Sequence, residues 1–81
     1  MKTQYEFIHF ELMSSNGKTS VWSCKNTRYG EELGEVRWYD EWHQYCYSPT
    51  AQAVYSKGCL TDISNFIADL MARHKAPEAS E

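Results

Sequence analysis

His43 and Cys46, three residues apart, are the first pair in this chain with the types to do covalent chemistry. An imidazole beside a thiol can remove its proton and leave a nucleophile. The surrounding residues do not support that use. Alternation sends His43 to a loop and Cys46 to a strand, and no glycine-rich strand-to-helix turn follows to hold an oxyanion. Asp40 and Glu41 are adjacent carboxylates, but a pair on a turn faces water, which removes the environment that drives two carboxyl pKa values apart. Cys24, Cys46 and Cys59 with a histidine offer thiol and imidazole ligands, yet no two of the cysteines stand at the short spacing of a metal-binding knuckle. His9 reads as a strand residue and His74 as a helix-end cation. The expectation is a protein with no catalytic residue, no metal and no cofactor.

Recognition is the better-supported chemistry. Trp42 falls in Asp40-Glu41-Trp42-His43, where alternation does not claim it for a core. A tryptophan on a loop tip, rimmed by polar groups, has the makings of an interface anchor. Tyr39 and Arg37 precede it on one face of the same strand, so Trp42, Tyr39, His43, Asp40, Glu41 and Arg37 form the expected binding set. Tyr29 and Tyr5 would extend an aromatic surface. Residues 31–43 carry Glu31, Glu32, Glu35, Asp40 and Glu41 against Arg37 alone, within a chain of net charge −3. Nucleic-acid affinity comes largely from cations on phosphates, so that partner is disfavoured. A basic surface on another protein suits these charges better, with a homodimer as the other use of an exposed aromatic patch. One specific form is a phage-encoded acidic inhibitor of a host protein. The alternative is a small nucleotide-like ligand stacked between Trp42 and a neighbouring tyrosine.

The elements that must position these residues are legible from their periods. Gly34, Val36 and Trp38 alternate with Leu33, Glu35, Arg37 and Tyr39. A four-residue loop at 40–43 then pairs Tyr39 with Gln44, Trp38 with Tyr45, Arg37 with Cys46 and Val36 with Tyr47. One face becomes Val36, Trp38, Tyr45 and Tyr47, the other mostly polar, and a one-residue slip would mix them. Residues 3–13 read as a first strand with Ile8, Phe10 and Leu12 alternating, bulged or covered on both faces near Tyr5 and Phe7. Asn16-Gly17 suits a tight turn. Lys18 to Lys25 is a second strand, and Gln52 to Tyr55 a short further one after Pro49.

From residue 57 the period lengthens. Cys59, Leu60, Ile63, Phe66, Ile67, Leu70 and Met71 recur every three or four residues, an amphipathic helix. Ser56 is its expected N-cap. Arg73, His74 and Lys75 suit the negative end of its dipole, and Pro77 its stop. The fold class is therefore α+β: an antiparallel sheet of four to five strands packed on one C-terminal helix, a single domain over 1–75 with a disordered tail at 76–81. Its core is expected to hold Trp38, Ile63, Phe66 and Leu70 in one cluster.

With 81 residues, 15% of them aromatic, the core must draw on rings, each of which removes a large apolar area from water. Three cysteines without a pairing pattern read as reduced thiols. Polar residues interrupt the N-terminal apolar stretch, which excludes a signal peptide, and no segment reaches the length of a membrane span. The expected setting is cytoplasmic, in a bacterium or in a phage-infected host.

Gly34-Glu35-Val36-Arg37-Trp38-Tyr39 with Trp42, Tyr45, Tyr47 and Pro49, then Cys59-Leu60-Thr61-Asp62-Ile63 and Phe66-Ile67, resemble a family of small bacterial and phage proteins with no assigned function. There an aromatic hairpin precedes a C-L-x-D-I-x-x-F-I helix. The chain carries His43 where that pattern has a basic residue. The resemblance implies the fold and a phage or prophage setting, and supplies no catalytic residue.

Overall fold

A computed structural model describes the backbone of residues 1–79 and the side chains through His74. Four strands, β1 (Ile8–Ser15), β2 (Ser20–Asn26), β3 (Glu32–Tyr39) and β4 (Gln44–Pro49), form one antiparallel sheet in the order β1-β2-β3-β4. The helix α1 (Lys57–Ala79) covers one face. The expected α+β architecture is present, with four strands. No fifth strand forms at 52–55, because Tyr55 uses its hydroxyl, not its backbone, to tie this segment to the sheet through the Leu33 carbonyl.

The β3–β4 register matches the alternation residue for residue, from Tyr39 opposite Gln44 to Val36 opposite Tyr47. Asn16 Oδ1 accepts from the amides of Lys18 and Thr19 (2.9 and 2.8 Å), and Gly17 takes φ +90°, so the Asn-Gly turn closes the first hairpin. Ser56 caps α1: its Oγ accepts from the Cys59 amide at 3.1 Å, satisfying one of the donors a helix start leaves free.

The core is Ile8, Phe10, Cys24, Leu33, Val36, Tyr45, Ile63, Phe66 and Leu70. Phe66 sits at its centre, stacked on Phe10 with ring centroids 3.8 Å apart and edge-on to Trp22 at 5.3 Å. Ile63, Phe66 and Leu70 are buried as the helical period requires. Leu60, in the same stripe, is exposed, whereas Cys59 beside it packs against the core. Trp38 is half-buried rather than fully enclosed. It lies beside the later turns of α1, tilted against His74 with ring centroids 4.4 Å apart and edge-on to Tyr45.

Several expectations change. Residues 3–7 are not the start of a strand. They fold back on β1, with the Tyr5 amide bonded to Ile8 O and the Phe10 amide to Thr3 O. Leu12 is exposed although it still pairs in register opposite Trp22, and the register shifts after it, before Ser14. Another, between Cys24 and Lys25 against β3, makes Leu33 an extra residue and swings it into the core, although strict alternation would put it on the polar face. The helix does not stop at Pro77. It runs to Ala79, the proline removing one amide in the last turns, so Arg73 and His74 lie inside the helix rather than at its end. Of the expected tail, 76–79 has helical backbone and 80–81 lie outside the described residues. Among the described residues no helix is long and apolar enough to cross a membrane.

Candidate functional site

The β3–β4 loop is built from its backbone outward. The Trp42 amide bonds to Tyr39 O and the His43 amide to Asp40 O, both at 3.2 Å. His43 then takes φ +53°, the left-handed conformation that lets a four-residue loop rejoin β4. This reversal throws the Trp42 side chain outward, where its ring is 65% exposed. Tyr39 meets it edge-on, with centroids 5.0 Å apart and planes at 73°. Hydrogen bonds order the rim: Tyr39 Oη donates to Glu41 at 3.2 Å, and Trp38 Nε1 donates to Asp40 at 3.2 Å. Both carboxylates accept from neutral donors, and neither has a cationic partner among the described ion pairs.

Five of the six expected residues, Tyr39, Asp40, Glu41, Trp42 and His43, therefore form one exposed tip. Arg37 stands apart, lower on the strand, held to Glu35 at 2.6 Å. The acidic cluster read from residues 31–43 disperses in the same way. Glu31 and Glu32 flank the start of β3, and Glu32 accepts from the buried Ser23 hydroxyl at 2.7 Å. Eight residues at about 3.3 Å each separate that end of the strand from the tip. Only Asp40 and Glu41 charge the tip itself. Tyr5 is far from the tip and half-buried: it packs edge-on against Phe10.

The face of the sheet away from α1 is a polar lattice. Glu11 bridges His9 (2.8 Å) and Lys25 (3.1 Å), and Ser23 and Glu35 lie in the adjoining rows. The His9 and Lys25 bonds hold the Glu11 carboxyl below its usual range. Cys46 Sγ lies 3.8 Å from Gln44 O, a contact that turns it toward the strand backbone. Among the described residues, no group of three or more His, Cys, Asp or Glu is placed to share a metal ion.

One cluster escaped sequence reading. Beneath α1, the Tyr47 and Tyr55 hydroxyls meet at 2.8 Å and Tyr55 donates to Leu33 O, with the buried Cys24 thiol beside them. Burial pushes the Cys24 thiol from its ordinary value of 9.0 up to about 11, and both tyrosines are raised for the same first cause. The only signal for this cluster was Gly34, whose missing side chain makes room for the Tyr47 ring. The chemistry is structural, since a thiol with a raised pKa is a poor nucleophile. At pH 8 iodoacetamide is expected to spare Cys24 until the chain unfolds, checked by mass spectrometry of native and denatured samples. The folded state holds the Cys24 proton more tightly than the unfolded one, so this stabilisation is complete below about pH 9 and is lost as pH rises through about 11. Melting temperature should fall across that window. The chain matches no family model, no curated protein and no solved structure.

Proposed function

We propose that this chain is a non-enzymatic protein–protein interaction module that presents the β3–β4 tip to a basic surface on another macromolecule of the cytoplasm. The observation that carries the reading is Trp42, the largest side-chain type, held 65% exposed by an ordered loop between Asp40, Glu41 and Tyr39. An isolated exposed tryptophan forfeits apolar burial that a partner would recover. Interface anchors are rings of this kind, rimmed by polar groups. The two unpaired carboxylates add charge that would steer a cationic surface. The nucleotide-stacking alternative needs two parallel rings with a slot between them, and the edge-on Tyr39–Trp42 pair offers none.

Trp42→Ala is the direct test. The ring touches little beyond Tyr39, so the substitution should cost about 1 kcal/mol of stability or less. Affinity capture from a bacterial cytosolic extract should retain a partner on the wild-type chain and lose it with Trp42→Ala, and the retained fraction should fall as salt is raised. Equal capture by both chains would remove the tip as the binding surface. A melting temperature lowered as far as by Trp38→Ala would make Trp42 a core residue.

A further inference from the structure

The end of the sheet opposite the tip carries a second pair of exposed rings, Phe7 and Tyr29. The strands β2 and β3 meet there in a tight loop whose conformation Asn26 fixes. Its Oδ1 accepts from the Arg28 and Tyr29 amides (2.9 and 3.1 Å), its carbonyl accepts from Gly30 (2.7 Å), and its amide donates to Glu31 O (2.9 Å). Gly30 takes φ +76° to complete the turn. Tyr29 is thereby held out at 71% exposure, and Phe7, at 57%, is fixed beside the loop by the bond from the Thr27 amide to its carbonyl at 3.0 Å. Between them opens a groove of about 380 Å³ lined by Glu6, Phe7, Asn26, Thr27, Arg28 and Tyr29. A second groove of about 400 Å³ adjoins it through Glu6 and Phe7 and brings in Lys2, Lys57 and Asp62. Lys2 and Arg28 lean over the Tyr5 and Tyr29 rings (4.5 and 5.3 Å), and neither of them, nor Lys57, has a carboxylate partner among the described ion pairs.

We infer that this groove receives the Trp42 tip of a second copy of the chain. The two surfaces complement each other. The tip offers one projecting indole with Asp40 and Glu41, whereas the groove offers two flanking rings with Lys2, Arg28 and Lys57, none of them in a described ion pair, against Glu6, Asp62 and a Glu31 held on Asn26. An indole between Phe7 and Tyr29 would face the Arg28 guanidinium, a favourable cation–π geometry, and would cover three of the most exposed rings in the molecule. The strand β3 runs from the groove end at Glu32 to the tip end at Tyr39, so the two surfaces stand at opposite ends of an eight-residue strand, about 3.3 Å per residue. Pairing one tip with one groove leaves a free surface at each end, which makes the contact heterologous and the assembly open rather than a closed dimer. A contact this small places the association in the weak class. The inference rests on the tip being a binding surface and adds a second copy of the chain to the partners that surface takes.

Sedimentation velocity on the full chain tests it, at concentrations from about 10 µM to about 1 mM, the range in which weak contacts populate. The mean mass of wild type should climb past the dimer without a plateau and fall as salt is added. Trp42→Ala alone, and the double variant Arg28→Glu with Tyr29→Ala alone, should each stay monomeric with wild-type melting. An equimolar mixture of the two should stop at a dimer, because only one intact tip and one intact groove remain per pair. A wild-type plateau at dimer, self-association of the groove variant at wild-type strength, or a monomer at the highest concentration would each overturn the inference. If a different protein is still captured through Trp42 in any of those cases, the tip remains a binding surface and only the second copy is excluded as its partner.

Discussion

Phe66→Ala is expected to unfold the chain or bring it close to unfolding. Phe66 is fully buried, stacked on Phe10 at 3.8 Å and edge-on to Trp22, so it joins α1 to β1 and β2 at once. Truncating a buried phenylalanine costs roughly 3–5 kcal/mol, the sum of lost transfer energy and the cavity left behind. A domain of this size sits near the bottom of the usual range of about 5–15 kcal/mol. Leu60→Ala is the control. It lies six residues earlier in the same apolar stripe but is exposed, and should change stability by less than about 0.5 kcal/mol. Urea denaturation followed by circular dichroism separates the two. Near-wild-type behaviour of Phe66→Ala would mean that the helix does not cover the sheet.

That contrast marks where sequence reasoning reached and where it stopped. The β3–β4 register was legible because two constraints agreed, a four-residue loop and an alternation that any one-residue slip would mix. The helix was legible from its period and from Ser56 as its cap. Periodicity says which side of an element is apolar, not how far its neighbour extends, so Leu60 and Leu12 share the period of buried residues and are nonetheless exposed. Leu33 failed for a different reason. A bulge changes the parity of a strand, and its position depends on pairing with β2, which the local sequence of β3 does not encode. Tyr55 lay in a segment that resembled a strand, while its actual role depends on a hydroxyl meeting Tyr47, a residue eight positions earlier.

The candidate site divides along the same line. Residues 39–43 are contiguous, and a loop tip keeps contiguous residues together, so the tip could be read directly. The acidic patch could not, since β3 carries Glu32 and Glu41 toward opposite ends although they are near neighbours in sequence. The Phe7–Tyr29 groove was less accessible still. Its two rings are 22 positions apart, and they meet only because β1 and β2 pair with Ile8 opposite Asn26.

Gly34→Val should be the most damaging change in the sheet, although it adds only apolar carbon to a β-strand. A Cβ at position 34 would fall 2.5 Å from Tyr47 Cζ and 2.6 Å from Ser48 O. No real Cβ survives such distances, and the Ser48 contact is backbone in the paired strand, so it cannot be relieved by a side-chain rotation. Either β4 moves away from β3 or the Tyr47 ring leaves its place. If the ring leaves, the bond joining Tyr47 to Tyr55 breaks and polar groups are left buried without partners, at about 1–3 kcal/mol for each such group. Overpacking contributes roughly a further 1–3 kcal/mol, so the total approaches that of Phe66→Ala. Propensity alone predicts the opposite sign, because valine is favoured in strands and glycine is not. The double variant Gly34→Val with Tyr47→Ala isolates the cause. Removing the ring relieves the first clash and leaves the second, so the pair should be less unstable than the two single losses added together, yet well below wild type. Full recovery in the double variant would place the whole constraint in Tyr47, whereas a valine variant that melts with the wild type would mean that β3 and β4 do not approach this closely at Gly34.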